Sequence, residues 1–538
     1  MTLRFPALIT MVALLLTLAG CGGGGSGAAT TPLAAAGAGA GQPVATPPAN
    51  NPPANNPPVN GGPTLVDPLD DELENLIAAA GITGDAEFNR TLPDISDPLA
   101  QLGKKLFFSK SLGGDFDSAC VTCHHPVLGG ADGLSLPVGT GAADPDVLGP
   151  GRTHAATGLP TVPRNTPTAF NAGLWDSGLF WDSRVESFGR EPQANGAVSA
   201  IRTPDVAFGA ADPDAGPNLP AAQARFPVAS PEEMRGDTFE AGADNATLRA
   251  HLAARIGGYG IGEGELPANT WLAEFQAAFG SGDAETLITV DNIMTAIAAY
   301  ERSMRFVNNP FFDYANGNRA ALTDAQKRGG ILFFTSIDNG GGGCSSCHAG
   351  DHFTDEQHHT VAFPQFGPGK GDGNEDDFGR ERETGDPADR YAWRTPSLLN
   401  VAVTAPYGHA GAYNTLGQVL AHYNNPAGTV NNFFDDGAAC TLPQFRDRAD
   451  CADLYPQANA NSQAALRKLQ RERDDGTALF TNINLNNNER ADIVAFLDAL
   501  TDPCVTDRAC LAPWIADPAD EGPDGQQLNA RDDGGNLL

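Results

Sequence analysis

Apolar side chains recur at helical spacing in two similar runs of the chain. Residues 102–108 read LGKKLFF, and residues 328–334 read RGGILFF. Each run predicts an amphipathic helix that turns its large apolar side chains towards a core. Thr323 precedes the second run at a position suited to a helix N-cap. Two similar segments in one chain indicate an internal repeat and therefore two related structural units.

Two further patterns predict helices around these units. Between residues 291 and 306, one helical face carries four large side chains, Ile293, Ile297, Tyr300 and Met304. This stripe predicts a buried helix that links the units, and core packing explains Met304 better than a role as a metal ligand. Residues 488–500 predict a closing helix for the second unit. Strand patterns are few and short, so the expected class is mainly α with long loops.

The N-terminus has the pattern of an export signal. Arg4 precedes an apolar run that ends in Leu18-Ala19-Gly20-Cys21. Residues 1–21 therefore predict a lipoprotein signal peptide with Cys21 as the lipid-modified residue, and a plain cleaved signal is the alternative. Residues 22–66, rich in Gly, Ala, Pro and Asn, predict a disordered tether. We expect a periplasmic protein held by lipid, at the outer membrane, and bound to the membrane only through that anchor.

The charge balance narrows the expected partners. The 538 residues carry a formal net charge of -33. Such a surface repels nucleic-acid phosphates and anionic lipid, and it favours a basic partner such as a small cationic cytochrome. Solubility alone explains the same charge equally well.

The cysteines provide the most specific chemistry. Two C-x-x-C-H runs are present, Cys120-Val121-Thr122-Cys123-His124 and Cys344-Ser345-Ser346-Cys347-His348. This is the attachment signature of c-type haem, in which two thiols bond one macrocycle and the adjacent histidine binds its iron. A redox dithiol or a zinc site shares only the C-x-x-C part. The sequence therefore predicts two covalent c-type haems in two cytochrome c-like domains.

Four of the other cysteines form two local pairs. We expect Cys440 to bond Cys451 and Cys504 to bond Cys510, because unpaired thiols do not persist in an oxidising compartment. Both disulfides are expected to be structural.

Four further motifs carry a family resemblance: PRNTPT at residues 163–168, FWDSR at 180–184, RTPSLLN at 394–400 and VTAPYGH at 403–409. With the haem motifs, they resemble the bacterial di-haem cytochrome c peroxidase and MauG family over about residues 95–500. The resemblance implies an N-terminal peroxidatic haem domain at residues 67–320 and a C-terminal electron-transfer haem domain at 321–515. Residues 516–538 are expected to form a tail.

The resemblance also implies a peroxide site at the first haem. His124 would be the proximal ligand, and the opposite face of the iron would be left for peroxide. The family's pocket residues match Gln223, Pro227 and Glu233. A pocket carboxylate can move a proton between the two peroxide oxygens, so Glu233 is the expected catalytic acid and base. A solvated loop carboxylate is the alternative for Glu233.

The second haem, with His348 as proximal ligand, would relay electrons. Where peroxidases of the family often use methionine as the other ligand, this chain has Tyr423. That departure resembles MauG, and an anionic oxygen ligand would lower the reduction potential relative to thioether ligation. His422 is the competing ligand, and buried packing of Tyr423 is the third alternative.

A second departure lies near the first haem. Many family members close the resting peroxide haem with a histidine about sixteen residues past the proximal ligand, where this chain has Thr140. We expect the first haem to be open without prior reduction, although His154 lies further along the chain and could swing in.

Two more matches lie between the haems. Trp181 matches the family's relay tryptophan, with core packing as the alternative. Asn165 and the carbonyls of Thr404 and Pro406 match the family's calcium site, and oxygen ligands of this kind suit a hard cation. Turn formation is the alternative for these three residues.

Three functions follow as hypotheses. The first is reduction of hydrogen peroxide to water, with electrons from a small donor protein such as a cytochrome c. The second is MauG-like oxidation of a protein side chain, which Tyr423 and Thr140 favour. The third is electron transfer without catalysis, which Gln223 and Glu233 argue against. Residues 185–218 form an insertion without an assigned mechanism. Their position just ahead of the pocket residues makes them a candidate for substrate access or partner docking, and a solvated loop is the favoured alternative.

Overall fold

The computed structural model describes residues 67–538, which fold mainly into α-helices joined by long loops, as expected. The α-helices in this range are α1 (Pro68–Ala79), α2 (Pro98–Phe108), α3 (Cys120–Cys123), α4 (Leu219–Ala224), α5 (Asn245–Gly257), α6 (Trp271–Phe279), α7 (Ala284–Leu287), α8 (Val290–Ser303), α9 (Pro310–Ala315), α10 (Asp324–Phe334), α11 (Glu381–Thr384), α12 (Leu416–Asn424), α13 (Pro426–Asp435), α14 (Ala458–Asp474), α15 (Asn487–Asp498) and α16 (Arg508–Leu511). The predicted signal peptide and tether lie outside the described residues. None of these helices is both long enough and apolar enough to span a bilayer.

The first unit is built on the crossing of α2 and α8. A Cβ atom added at Gly103 in α2 would lie 1.9 Å from the carbonyl oxygen of Ala296 in α8, so only glycine permits this approach. The stripe predicted on α8 is buried, and the ring of Tyr300 packs at a tilt against that of Phe107, with ring centroids 4.9 Å apart. Met304 lies just past the end of α8, buried in the core of the same unit.

The second unit repeats this crossing with α10 and α15. A Cβ atom at Gly329 would lie 1.9 Å from the carbonyl oxygen of Asp492. Thr323 caps α10 as predicted: its hydroxyl accepts from the backbone N–H of Gln326, whose side chain accepts in return from the Thr323 N–H at 2.8 Å. The closing helix predicted at 488–500 is α15. The repeated sequence therefore forms a repeated helix crossing.

Each terminal segment of the described chain packs on the unit farther away in sequence. Near the N-terminus, α1 contacts α10, and Asp70 pairs with Lys327 at 2.6 Å. At the other end, residues 504–538 return to the first unit, where the buried Asp524 accepts from the indole of Trp271 at 2.7 Å. Leu528 lies in the first core. Residues 516–538, expected as a tail, thus lie against the first unit; their few apolar residues form no periodic pattern that sequence could reveal.

Strands are short and occur in two places. In one sheet, β1 (Gly178–Leu179), β2 (Val185–Ser187) and β3 (Ile201–Arg202) pair antiparallel in that order, with Gly178 opposite Glu186 and Glu186 opposite Arg202. In the other, β4 (His358–Thr360) pairs antiparallel with β5 (Ala392–Arg394).

The insertion at residues 185–218 is folded. It contains β2 and β3, and two of its ion pairs reach the segment around α11: Arg202 with Glu383 at 2.5 Å and Glu186 with Arg380 at 2.7 Å. Apolar residues of the insertion form a small core of their own with α4. A freely solvated loop does not describe this segment, and its role in access or docking stays a prediction.

Both predicted disulfides are present, Cys440–Cys451 and Cys504–Cys510. The four cysteines of the two C-x-x-C-H motifs form no disulfide.

Candidate functional site

One continuous cavity of about 370 Å³ joins the two motif-bearing units. Its volume falls in the range of about 300–1,000 Å³ typical of cofactor and ligand sites. The lining includes every site residue predicted from sequence: Cys120, Cys123, His124, Asn165, Trp181, Gln223, Glu233, Cys344, Cys347, His348, Thr404, Pro406 and Tyr423. The fold thus brings together residues that are up to about three hundred positions apart in the chain.

The first C-x-x-C-H motif has the geometry of a haem attachment site. Cys120 and Cys123 stand at the two ends of α3, and both thiols are free. His124 follows at the cavity wall, where its Nδ1 hydrogen-bonds the carbonyl oxygen of Gly130 at 3.1 Å. Burial lowers the pKa of His124 to about 4, so the ring is neutral. A neutral imidazole whose Nδ1–H is held by a carbonyl presents Nε2 as a metal ligand.

The second motif repeats this arrangement. Cys344 and Cys347 are free and half-buried, and the Nδ1 of His348 hydrogen-bonds the carbonyl oxygen of Phe353 at 3.2 Å. Burial also lowers the pKa of His348. Two pairs of free thiols, each followed by an oriented neutral histidine at one cavity, fit two haem groups.

At its first end, the cavity is lined by two polar side chains, Gln223 and Glu233. Gln223 projects from α4, and Glu233 lies in a single wide turn formed by Pro231–Arg235. The guanidinium of Arg184 approaches Glu233 at 3.9 Å and lies 3.5 Å above the ring of Phe180. The neighbouring Glu232 is exposed instead, and it accepts a hydrogen bond from Ser230. The turn therefore presents one carboxylate to the cavity and the other to solvent.

Thr140 supports this turn directly. Its backbone N–H donates to the carbonyl of Glu232 at 3.2 Å, and its hydroxyl donates to the carbonyl of Pro231 at 3.0 Å. The ring of His154 packs beside Gly141, where a Cβ atom would lie 2.5 Å from its Nε2, but it lines a separate depression with Arg448 and bonds the hydroxyl of Thr157. His154 is therefore a neighbour of the segment that contains Thr140, but it does not line the cavity that holds His124.

The second end of the cavity is mostly apolar. Tyr423 on α12 lines it, with the rings of Phe363 and Phe480 edge-on at 5.7 and 5.1 Å. Burial raises the pKa of the Tyr423 phenol. His422 faces away from the cavity: its Nδ1 bonds the hydroxyl of Tyr413 at 2.8 Å and its Nε2 bonds the carbonyl of Val361 at 2.8 Å. Of the two candidate ligands on α12, only Tyr423 reaches the cavity.

Trp181 connects the two units through hydrogen bonds. Its indole N–H donates to the carbonyl of Asn165 at 2.8 Å, and its own carbonyl accepts from the backbone N–H of Arg394 at 2.9 Å. Asn165 belongs to the PRNTPT motif of the first unit, and Arg394 belongs to the RTPSLLN motif of the second. The ring is thus held at the junction, whatever its redox role.

The three residues predicted to bind calcium all line the cavity. The Asn165 side chain donates from Nδ2 to the carbonyl of Leu134 at 3.0 Å, which leaves Oδ1 without a hydrogen-bond donor among the described residues. The segment with Thr404 and Pro406 lines the same wall. This donor set fits a hard cation, and the calcium site stays a prediction.

Sequence reasoning missed several charged and aromatic residues of the cavity. Arg164 pairs with Asp182 at 2.5 Å and with Asp377 at 2.6 Å. Trp393 stacks on His409, with ring centroids 3.9 Å apart. Lys370 also lines the cavity. In the sequence, its flanking glycines predict a loop but no role in a site. Arg164 belongs to the PRNTPT motif and His409 to the VTAPYGH motif, and this membership is the sequence signal that could have indicated a role in the site.

Known proteins of one family are similar to this chain. A family model described as di-haem cytochrome c peroxidase matches residues 97–320. Methylamine utilization protein MauG of Methylorubrum extorquens is 28% identical over 322 residues, which cover 60% of this chain and 67% of that protein. Cytochrome c551 peroxidase of Pseudomonas aeruginosa is 28% identical over 334 residues, which cover 62% of this chain and 73% of that protein.

Among solved structures, a MauG-like protein associated with microbial copper homeostasis aligns with a TM-score of 0.49 at 23% identity. The alignment covers 80% of this chain and 97% of that protein.

Proposed function

This chain belongs to the di-haem cytochrome c peroxidase and MauG family, a family of haem oxidoreductases, and we propose that it reduces hydrogen peroxide to water with electrons from a small donor protein such as a cytochrome c. The observation that supports the proposal is the shared cavity, whose lining contains Gln223, Glu233, Trp181 and both haem motifs. The relatives carry both peroxidase and MauG names, so the choice between these reactions depends on the residues that line the cavity.

Two covalent c-type haems would occupy the cavity. Cys120 and Cys123 would bond the vinyl groups of the first, and His124 would bind its iron. Cys344, Cys347 and His348 would hold the second in the same way. The free thiols and the neutral, carbonyl-anchored histidines support this assignment. When bound, the haem iron supplies the two-electron redox chemistry of peroxide reduction.

Glu233 would handle the proton. Its carboxylate would accept a proton from one peroxide oxygen and return it to the other, so that the O–O bond breaks with water as the leaving group. Gln223 would orient the peroxide by donating a hydrogen bond from its amide. Complete reduction of one peroxide consumes two electrons and two protons and yields two waters. Arg184 keeps Glu233 turned towards the cavity through their 3.9 Å ion pair.

At the second end, Tyr423 would hold the iron of the second haem together with His348. Its position in the cavity supports it over His422, whose two ring nitrogens are both engaged. Electrons from the donor would enter here and pass towards the first end by way of Trp181, which hydrogen-bonds motifs of both units. A calcium ion held by Asn165, Thr404 and Pro406 would stiffen this junction.

A second candidate function is MauG-like oxidation of a protein side chain. The observation that favours it is Tyr423, because an anionic oxygen ligand stabilises oxidised iron. An electron carrier without catalysis is the third candidate, and it leaves Gln223 and Glu233 without a role. For the chain as a whole we propose a periplasmic location with a lipid anchor at Cys21, at the outer membrane, from the lipobox pattern in the sequence.

The test is spectroscopy of the oxidised two-haem protein with and without hydrogen peroxide, followed by turnover with a reduced cytochrome c. Peroxidase function predicts a peroxide response at the first haem and steady consumption of reduced cytochrome. A peroxide response without cytochrome oxidation favours the second candidate. Two low-spin haems that do not respond to peroxide contradict catalysis and leave the electron carrier.

A further inference from the structure

A buried arginine lies behind the turn that carries Glu233. Arg152 is 2% exposed, and its guanidinium donates only to backbone carbonyl oxygens, at 2.6–3.4 Å: those of Asp117, Val138, Gly139, Pro145 and Val147. A guanidinium can bond several carbonyls at once because its five N–H donors have fixed directions, whereas a lysine ammonium has only three. Arg152 therefore fixes two loop segments, 138–139 and 145–147, relative to each other.

The first of these segments contacts the turn directly. A Cβ atom at Gly139 would lie 2.2 Å from the carbonyl oxygen of Glu232 and 2.8 Å from the Cα atom of Glu233, so the two backbones touch. The next residue, Thr140, donates from its N–H to the Glu232 carbonyl at 3.2 Å and from its hydroxyl to the Pro231 carbonyl at 3.0 Å. Two hydrogen bonds and a close backbone contact thus join the segment held by Arg152 to the turn.

The turn depends on this outside support. Residues 231–235 form one wide turn, in which the N–H of Arg235 donates back to the carbonyl of Ser230 at 2.9 Å. Wide turns of this kind are rare and occur frequently at functional sites. The carbonyl of Glu232 accepts from outside the turn, from the Thr140 N–H and, at 3.0 Å, from the Thr161 hydroxyl. The backbone position of Glu233 is therefore set by residues that precede it by about seventy to ninety positions.

We propose that Arg152 is a positioning residue for Glu233: it fixes residues 138–140, and these fix the backbone of the turn. The inference rests on the proposed role of Glu233 in proton transfer. Arg184, at 3.9 Å, can orient the Glu233 side chain, but the backbone decides where that side chain starts. Because a displacement of about 1 Å can slow a reaction by about 10²-fold, a residue that never touches peroxide can limit its reduction.

A double-mutant cycle tests whether Arg152 acts through Glu233. Arg152→Lys keeps the charge but cannot bond all the carbonyls, and Thr140→Val removes only a hydroxyl. Each substitution is made in the parent protein and in Glu233→Gln, and the rate of the first-haem response to peroxide is measured. Arg531→Gln is the matched control, since its guanidinium pairs with Asp144 at the surface, at 2.7 Å.

In the parent, we expect Arg152→Lys to slow the peroxide response by about tenfold or more. Thr140→Val should slow it by about threefold, because one hydrogen bond is lost, and Arg531→Gln should change it by less than about twofold. In Glu233→Gln, the further loss from either substitution should also fall below about twofold, because the group to be positioned is gone.

Amide hydrogen exchange of residues 231–236 gives a second measurement, which does not depend on haem activity. It should become about tenfold faster in Arg152→Lys and stay unchanged in Arg531→Gln. Thr140→Val, which alters one half-buried hydroxyl, decides the test if Arg152→Lys does not fold.

Two results would overturn the inference while the peroxidase proposal stands. One is an unchanged peroxide response in both Arg152→Lys and Thr140→Val. The other is an equally large loss with and without Glu233, because Arg152 would then act on the fold as a whole. If Glu233→Gln alone leaves the response unchanged, the proposed role of Glu233 fails and the inference fails with it, so the two failures are distinguishable.

Discussion

The two motif-bearing units share one scaffold and differ in the other residues that they bring to the cavity. In each, a Cβ atom added to a glycine of the first helix would lie 1.9 Å from a backbone carbonyl oxygen of the second helix, and the histidine of the C-x-x-C-H motif is hydrogen-bonded through Nδ1 to a carbonyl. To the lining of the cavity, the first unit adds Gln223 and Glu233, and the second adds Tyr423, which packs against two phenylalanines.

Under the proposed function, this difference separates the part of the molecule that would hold the haems from the part that would select the reaction. The helices and the histidine loops are repeated, so they would serve attachment and orientation. The opposite walls come from segments that are not repeated, α4 and the turn at Pro231–Arg235 in the first unit and α12 in the second. Chemistry thus resides in residues added to a common scaffold.

The largest expected effect is on the polar wall of the first unit. Glu233→Gln removes the proton carrier and keeps the shape of the side chain, so peroxide turnover should fall by about 10²–10⁴-fold. Glu232→Gln is the matched control, because its carboxylate is exposed. Steady-state oxidation of a reduced cytochrome measures both variants. Equal losses in the two variants would contradict the assignment of Glu233.

The next effect concerns the apolar wall of the second unit. Tyr423→Met should raise the midpoint potential of the second haem and leave that of the first unchanged, because a thioether stabilises reduced iron better than an anionic oxygen does. Tyr413→Phe is the control, since its hydroxyl bonds His422 outside the cavity. Redox titration followed by absorption tests both. An unchanged potential in Tyr423→Met would exclude Tyr423 as the ligand.

Between the two units, Trp181→Phe tests the junction. The substitution removes the indole N–H that donates to Asn165 and the more easily oxidised ring, but it keeps an aromatic side chain in place. We expect about a tenfold slower transfer between the haems, an estimate that assigns about 1.4 kcal/mol to the barrier. Stopped-flow reduction of the peroxide-treated protein measures the rate. A rate equal to that of the parent would assign Trp181 to packing alone.

Local signals predicted the repeated parts of the molecule and missed parts assembled from distant segments. The C-x-x-C-H motifs, the cap at Thr323 and the helical stripe on α8 each depend on residues within about one helical turn of one another, so sequence reveals them. Lys370 lies in the second half of the chain and lines the cavity beside residues of the first unit. Asp524 accepts a hydrogen bond from Trp271, which is more than 250 positions away in the sequence. Such contacts depend on the folded chain path, which periodicity does not encode.

The last prediction concerns stability rather than activity and tests the shared scaffold itself. Alanine at Gly103 or Gly329 would place a Cβ atom against a backbone carbonyl, so the helices of that unit must separate, and each substitution should lower the free energy of unfolding by about 1–3 kcal/mol. Gly417→Ala is the control in α12, where the nearest atom is 3.8 Å away, and it should raise stability by up to about 1 kcal/mol through helix propensity. Denaturant unfolding of the three variants, followed by helical circular dichroism, gives these values.

Because the two crossings have the same geometry, the losses at Gly103 and Gly329 should agree. The two positions are not equivalent in their surroundings: α1 packs on α10, whereas the C-terminal segment 504–538 packs near α2. Equal losses of unfolding free energy would mean that separation of the two crossing helices accounts for the whole destabilisation. A larger loss at Gly329 would mean that opening this crossing also displaces α1, whose Leu73 lies 3.0 Å from a Cβ atom at the adjacent Gly330. A gain in stability at either glycine would contradict the close approach and with it the structural repeat.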